Sequence, residues 1–185
     1  MKFTPTRLKG AYIIEPEKFE DERGFFARTW CKEEFLAKGL DANVLQCSIS
    51  FNNQKGTVRG MHMQLPPFTE TKLVTCIKGA IHDIIIDLRP SSDTYLQWTS
   101  AELTPENRRT LYVPKGFAHG FQSLEDGTEV FYQITEAHAP DYAQGICWND
   151  SAFDIQWPQP ISLIAAKDLA YEKFKPEDFS SLAIF

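Results

Sequence analysis

Tyr112-Val113-Pro114-Lys115-Gly116-Phe117-Ala118-His119-Gly120-Phe121 joins two short apolar runs, Thr110 to Val113 and Phe117 to Ser123, through a tight turn. Proline fixes φ ahead of the turn, glycine permits the reversal, and His119 projects from the start of the following strand. Similar β-rich runs lie on both sides: Ala11 to Ile14, Val44 to Phe51, Leu73 to Ile77, Ile81 to Leu88, Leu96 to Leu103 and Glu129 to Thr135. Asn52-Asn53, Lys78-Gly79, Arg89-Pro90 and Asp126-Gly127 punctuate them at intervals of roughly ten residues, the rhythm of an antiparallel sandwich or barrel. Helix is expected only at Lys32 to Lys38, with Gly39 as its C-cap, and more weakly from Ala165 to Tyr171. The fold expected is all-β with peripheral helices.

The length of 185 residues suits one domain spanning 1–185, with room for a small arm or tail. Charge and proline rise after Trp157, as in a tail that wraps a surface. A net charge of −6 disfavours a nucleic-acid partner, whose phosphates need clustered cations, but leaves space for a local basic pocket. The opening Met1 to Phe19 has no signal-like apolar run, and nowhere do about 18 apolar residues follow one another, so a cytoplasmic chain without membrane contact is expected. Cys31, Cys47, Cys76 and Cys147 form no C-x-x-C pair and are expected to be buried reduced thiols.

A second unusual stretch, Gly56 to Gln64, carries Arg59 and His62 between strands. Three apart on an extended chain, they have opposite parity and need not share a face, although the glycines could supply a bulge that re-aims one of them. A surface arginine and a structural histidine are the simpler reading. The Pro114 to His119 pattern is the second signature of the cupin barrels, whose first normally contains H-x-H. Here that place reads His62-Met63-Gln64, leaving His62 and His119 with Glu70 as a weak third ligand. A metal-free barrel is favoured and a metal-dependent cupin is the alternative.

Asp21 to Phe26, Gln46 to Asn52, Gly56 to His62, Lys72-Leu73-Val74, Asp83 through Asp87-Leu88-Arg89, Pro114 to Phe121, Glu129 to Tyr132 and Trp148-Asn149-Asp150 together resemble the dTDP-4-dehydrorhamnose 3,5-epimerase family, over roughly residues 1 to 170. The resemblance implies a cupin-type jelly-roll β-barrel, a homodimer, no metal or other cofactor, and a nucleotide diphosphate 4-keto-6-deoxy sugar as substrate. Residues 1–30 would form an arm shared across the dimer, and 158–185 a tail covering the barrel mouth. His62 matches the family base. Asp168, in Ala166-Lys167-Asp168, matches its carboxylate partner, although the serine that leads the family's S-x-K-D is absent. Lys72 matches the donor to the enolate oxygen, with His119 as a second polar contact, and Tyr132 matches the general acid. Arg23 and Arg59 resemble phosphate contacts, while Gln46 and Phe26 would address the base or sugar.

The residue types suit that chemistry. Hydrogens on carbons 3 and 5 lie α to the ketone at carbon 4, so a base can remove one and an acid return it from the opposite face. A histidine with an ordinary pKa near ~6.5 can serve as base at neutral pH, and a tyrosine with one near ~10 keeps a proton to give. Taken alone, Tyr132 also reads as a cross-strand aromatic. Several positions depart from the family pattern: Arg28 stands for an acidic residue after Phe25-Phe26, His138 for a tyrosine beside the sugar, Ala143 and Cys147 for an acidic and a basic position, and His82 for an aromatic. They raise two alternatives, epimerisation at one carbon or on another nucleotide sugar, and a binding module without catalysis. His82 is read as packing or as pocket polarity.

Overall fold

A computed structural model describes all of residues 1–185. Strands β1 (Lys2–Pro5), β2 (Tyr12–Glu15), β3 (Lys18–Asp21), β4 (Gly24–Ala27), β5 (Gln46–Asn52), β6 (Thr57–Gln64) and β7 (Lys72–Lys78) form the first half of the chain. They are followed by β8 (Ile81–Asp87), β9 (Trp98–Leu103), β10 (Thr110–Val113), β11 (Phe117–Ser123), β12 (Thr128–Ile134), β13 (Ala143–Gly145) and β14 (Leu163–Ile164). One sheet runs β1-β2-β10-β7-β12-β5 and the other β13-β6-β11-β8-β9, while β3 and β4 pair only with each other as a separate hairpin. From β5 to β8 and from β9 to β13 consecutive strands alternate between the two sheets in the manner of a jelly roll, the all-β barrel that the turn rhythm and the resemblance predict.

Burial explains the strand sequences. On β8, Ile81 and Ile85 face the inter-sheet core with Val74, Leu111, Phe121 and Val130. Ile84 and Ile86 face the opposite way, where Ile146, Phe153, Phe179 and Leu182 cover the outer surface of the second sheet. A strand buried on both faces has no polar alternation, hence Ile84-Ile85-Ile86. The first sheet is covered outside by α1 (Lys32–Ala37), whose Phe35 packs on Ile14, Leu73 and Tyr112. Glu33 and Glu34 complement the dipole at its first turn. Residues 1–30 therefore divide: β1 and β2 belong to the first sheet, and only the β3–β4 hairpin stands apart. The tail divides too, with β14 running parallel to β6, the short α2 (Ala166–Leu169) following it, and Phe179 and Leu182 on the outer sheet face away from any barrel opening.

Residues 57–64, expected between strands, instead form one of the longest strands in the barrel. Its pairing with β11 shifts register between His119 and Phe121, opposite Gly60, so Arg59 and His62 face one side while Met61 and Met63 face the outer core. The extra residue breaks the two-residue period and hides the strand from pattern reading. Gly60 has φ +137°, and a Cβ there would sit 2.5 Å from Gly120 Cα. Gly60→Ala is expected to cost about 3 kcal/mol or more, from strain plus overpacking, measured as the shift of the urea midpoint. Gly24→Ala, at φ +129° with nothing within 4 Å of the new Cβ, isolates the strain and should cost roughly half as much.

The cysteine expectation holds only for Cys76, whose thiol burial pushes up to about 11. Cys47 is exposed because it points outward from the edge strand β5, and Cys31 and Cys147 are half-buried. No helix is long and apolar enough to cross a membrane.

Candidate active site

A cavity of about 600 Å³ lies between the sheets. Strand β5 contributes Gln46, Ser48 and Ser50, the residues that alternate with outward-facing Cys47, Ile49 and Phe51. Strand β6 contributes Arg59, His62 and Gln64, and β7, β11 and β12 contribute Lys72, His119 and Tyr132. His138, Ala143, Gln144, Lys167 and Tyr171 complete the rim. Gln46, Arg59, His62, Lys72, His119, Tyr132 and His138 thus converge from six segments of the chain.

His62 Nε2 lies 2.7 Å from Asp168 Oδ1, and Asp168 Oδ2 accepts the Gly60 N–H at 3.2 Å. The same bulge that aims His62 therefore frees a backbone donor for its partner. Burial alone would raise the Asp168 carboxyl. The hydrogen bond and charge of His62, the Gly60 N–H and the Lys167 charge together hold it below its ordinary value. With the Asp168-facing nitrogen protonated, Nδ1 of His62 is left with the lone pair.

A second dyad stands beside the first. His119, the cross-strand partner of His62, has Nε2 2.7 Å from Asp83 Oδ1. Asp83 is fully buried and its Oδ2 has no partner. Asp83 and Asp87 alternate with Ile81 and Ile85 in the inner row of β8, and Asp83 is the one that reaches His119.

Tyr132 sits on β12 in the opposite sheet, its hydroxyl 3.2 Å from Ser50 Oγ and its ring 6.4 Å from that of His119. Burial pushes the phenol well above its ordinary pKa, against a smaller opposing effect of the Ser50 hydrogen bond, so the proton stays on oxygen at neutral pH. Lys72 Nζ is 2.8 Å from Glu70 Oε1, and both side chains are nearly buried. Arg59 donates from Nε to Asn52 Oδ1 at 2.8 Å and from Nη2 to the Phe51 carbonyl at 3.1 Å, which fixes its guanidinium with Nη1 free to face a ligand.

The donor set does not converge for a metal. Gln64 is saturated by backbone, donating to the Phe68 and Ala137 carbonyls and accepting from Ala139 N–H. Glu70 is taken by Lys72, and no three His, Cys, Asp or Glu side chains gather.

Arg23 and Phe26 do not line the cavity of their own chain. Arg23 pairs with Asp21 at the hairpin tip, and Phe26 is 74% exposed beside its cross-strand partner Phe19 at 70%. Of the departing positions, His138 and Ala143 line the cavity, Arg28 pairs with Glu34, and Cys147 donates to Asn149 Oδ1. His82 alternates with Ile81 and Asp83 onto the outer side of β8, so the pocket-polarity reading is corrected to packing. Burial lowers its pKa, against the pull of Asp83 and Glu102, and its Nε2 has no partner. Tyr171, which lay unremarked at the end of an expected helix, joins the cavity wall.

A family model for dTDP-4-dehydrorhamnose 3,5-epimerase matches residues 5–176. The chain is 44% identical over 157 residues to the protein of that name from Methanothermobacter thermautotrophicus, covering 85% of this chain and 84% of that one. Its fold superposes with a TM-score of 0.89 on the Bacillus anthracis dTDP-4-dehydrorhamnose 3,5-epimerase crystallised with TDP and PPi, at 38% identity over 94% of this chain and 99% of that one. The Legionella pneumophila enzyme in complex with dTDP-4-keto-L-rhamnose gives a TM-score of 0.86 at 33% identity, covering 93% and 92%. A match this long at this identity, on a cavity built from the same motifs that first suggested it, makes the chain a member of the dTDP-4-dehydrorhamnose 3,5-epimerase family.

Proposed function

We propose that the cavity binds a dTDP-4-keto-6-deoxyhexose and that His62 and Tyr132 move the protons of its epimerisation. The protein is an epimerase of nucleotide-linked 4-keto sugars, the activity of its family. One observation carries the residue roles: His62 and Tyr132 line one cavity from opposite sheets, so they address opposite faces of a sugar held between them. His62 Nδ1 takes the hydrogen as a proton, and the C–H electron pair moves through the α-carbon to the ketone oxygen. Lys72 donates to the resulting enolate oxygen, with His119 as a second polar contact beside it. Tyr132 then protonates the carbon from the far face, the ketone re-forms, and the centre is inverted. The imidazolium on His62 is matched by the ionised Asp168 beside it. Arg59 Nη1 and Lys167 offer cations to the diphosphate.

A homodimer belongs to the same proposal. Phe19 and Phe26 on the hairpin, and Ile49, Phe51 and Ile77 on the outer face of the first sheet, leave more apolar surface in water than a monomer of this size needs. With Arg23 and Phe26 carried away from their own cavity, the arm is free to bring both to the cavity of a second copy.

The test is incubation with dTDP-4-keto-6-deoxyglucose in heavy water. Exchange is expected at both carbon 3 and carbon 5, and its absence at both would remove the epimerase reading in favour of binding alone. His138 sets the ratio of the two. Its imidazole is shorter than the family's phenol and has no hydrogen-bond partner at the rim, which leaves room for the singly inverted sugar to depart before the second inversion. His138→Tyr should shift the ratio of carbon 3 to carbon 5 exchange by about threefold or more. An unchanged ratio would show that position 138 does not govern the product.

A further inference from the structure

Strand β13 places Gly145 directly opposite His62 on β6. The missing side chain leaves a slot beside the imidazole, and Tyr171 fills it: a Cβ on Gly145 would lie 2.4 Å from Cε2 and Cζ of that ring. The two rings meet edge to face, with centroids 5.8 Å apart and planes inclined at 65°. The backbone next to Tyr171 is fixed by the Cys147 N–H, which donates to the Glu172 carbonyl at 3.0 Å. Three residues earlier, Asp168 is bonded to His62 and to Gly60. One short stretch of the tail thus grips the His62 imidazole twice, through a carboxylate on one nitrogen and a phenol ring against its side. The Tyr171 hydroxyl makes no hydrogen bond to any protein group, and the residue lines the cavity that holds Lys72 and Tyr132.

We infer that Tyr171 is a further substrate-positioning residue, its hydroxyl bonding the hexose of the bound nucleotide sugar beside His62. This rests on His62 acting at carbons 3 and 5, because only then does the hexose, rather than the nucleotide, lie next to the imidazole. A phenol in this slot fixes the sugar laterally, and the glycine opposite His62 exists to admit it. The contact is with the sugar alone, so a ligand that lacks the hexose gains nothing from it.

Four variants measured by titration calorimetry test this: Tyr171→Phe, Tyr171→Ala, Gly145→Ala and the Gly145→Ala/Tyr171→Ala pair. The ligands are dTDP and dTDP-glucose, a hexose conjugate without the 4-ketone. Tyr171→Phe keeps the ring on Gly145 and should bind dTDP as the native chain does while binding dTDP-glucose about fivefold more weakly, with a matching rise in KM for the 4-keto substrate. Gly145→Ala displaces the ring, for which an adjoining cavity of about 260 Å³ already bordered by Tyr171 gives room, and should weaken dTDP-glucose binding to a similar degree. In the Tyr171→Ala background the same glycine change should have no further effect. Unchanged dTDP-glucose binding by Tyr171→Phe, equal weakening of both ligands, or additive losses in the double variant would each overturn the inference. Failure of the underlying reading is seen separately, as absence of exchange in the native chain for the epimerase activity and as exchange that survives in His62→Ala for the base, and leaves the binding comparison standing.

Discussion

His62→Ala is expected to abolish deuterium exchange at both carbon 3 and carbon 5, with kcat falling by about 10³-fold or more. No other side chain on that wall can replace it. His119, its cross-strand neighbour, has one ring nitrogen committed to Asp83 and its side chain is only 6% exposed against 37% for His62, and Arg59 and Lys167 are cations. Binding of dTDP should survive, because Arg59 is held by Asn52 and Phe51, independently of His62. Calorimetry with dTDP therefore separates loss of the base from collapse of the cavity. Asp168→Asn should lose nearly as much, since an amide NH₂ turned toward Nε2 imposes the opposite tautomer and places the proton on Nδ1. Substantial exchange in His62→Ala with dTDP bound would end the assignment of the base. The dyad also has a pH signature. Asp168 has a depressed pKa in the fold, so its contribution to stability is complete above the ordinary carboxylate value of about 3.9 and is lost as pH falls through its lower native value. Acid unfolding of Asp168→Asn should accordingly show a shallower dependence on pH below about 4.

Legibility in the sequence followed the range of the interactions. Thr110–Val113 and Phe117–Ser123 have the bounds that their composition predicts, because a local turn, Pro114-Lys115-Gly116, defines where each one starts or stops. The Lys32 helix was equally local, ending at Ala37 just before its glycine. By contrast β6 was hidden by its own bulge, whose purpose is to break the periodicity that identifies strands. The β3–β4 hairpin was missed for another reason: Phe19 and Phe26 have no core to face, so an alternating pattern with charged neighbours gave no sign of a buried side. The catalytic constellation could be named only through the family resemblance. Asp168 stands 106 residues from His62, and no spacing rule connects a tail residue to a strand that distant. Even the resemblance includes Asp83 without a role and Tyr171 not at all. Their roles depend on which face of β8 points inward and on a glycine opposite His62, facts that exist only once the sheets are paired.

Tyr132→Phe should separate proton removal from inversion. The variant keeps the ring in its place against His119 and loses only the hydroxyl and its contact with Ser50 Oγ, so the fold and the opposite wall are undisturbed. His62, Asp168, Lys72 and His119 still generate the enolate, and solvent deuterium can still enter from the face on which His62 works. Wash-in should therefore remain within about tenfold of the native rate, while net inversion falls by about 10²-fold or more, the usual worth of a positioned acid. The native acid limb supports this division. Because burial holds the phenol proton well above the ordinary tyrosine range, the acid is fully loaded throughout the neutral region, and its loss should lower inversion by the same factor at pH 6 and pH 8. Equal loss of wash-in and inversion would mean that both protons pass through one group, with no far-face acid at all. Inversion that persists in Tyr132→Phe would assign the acid to another group on the wall opposite His62, where Lys72 on β7 also carries a proton.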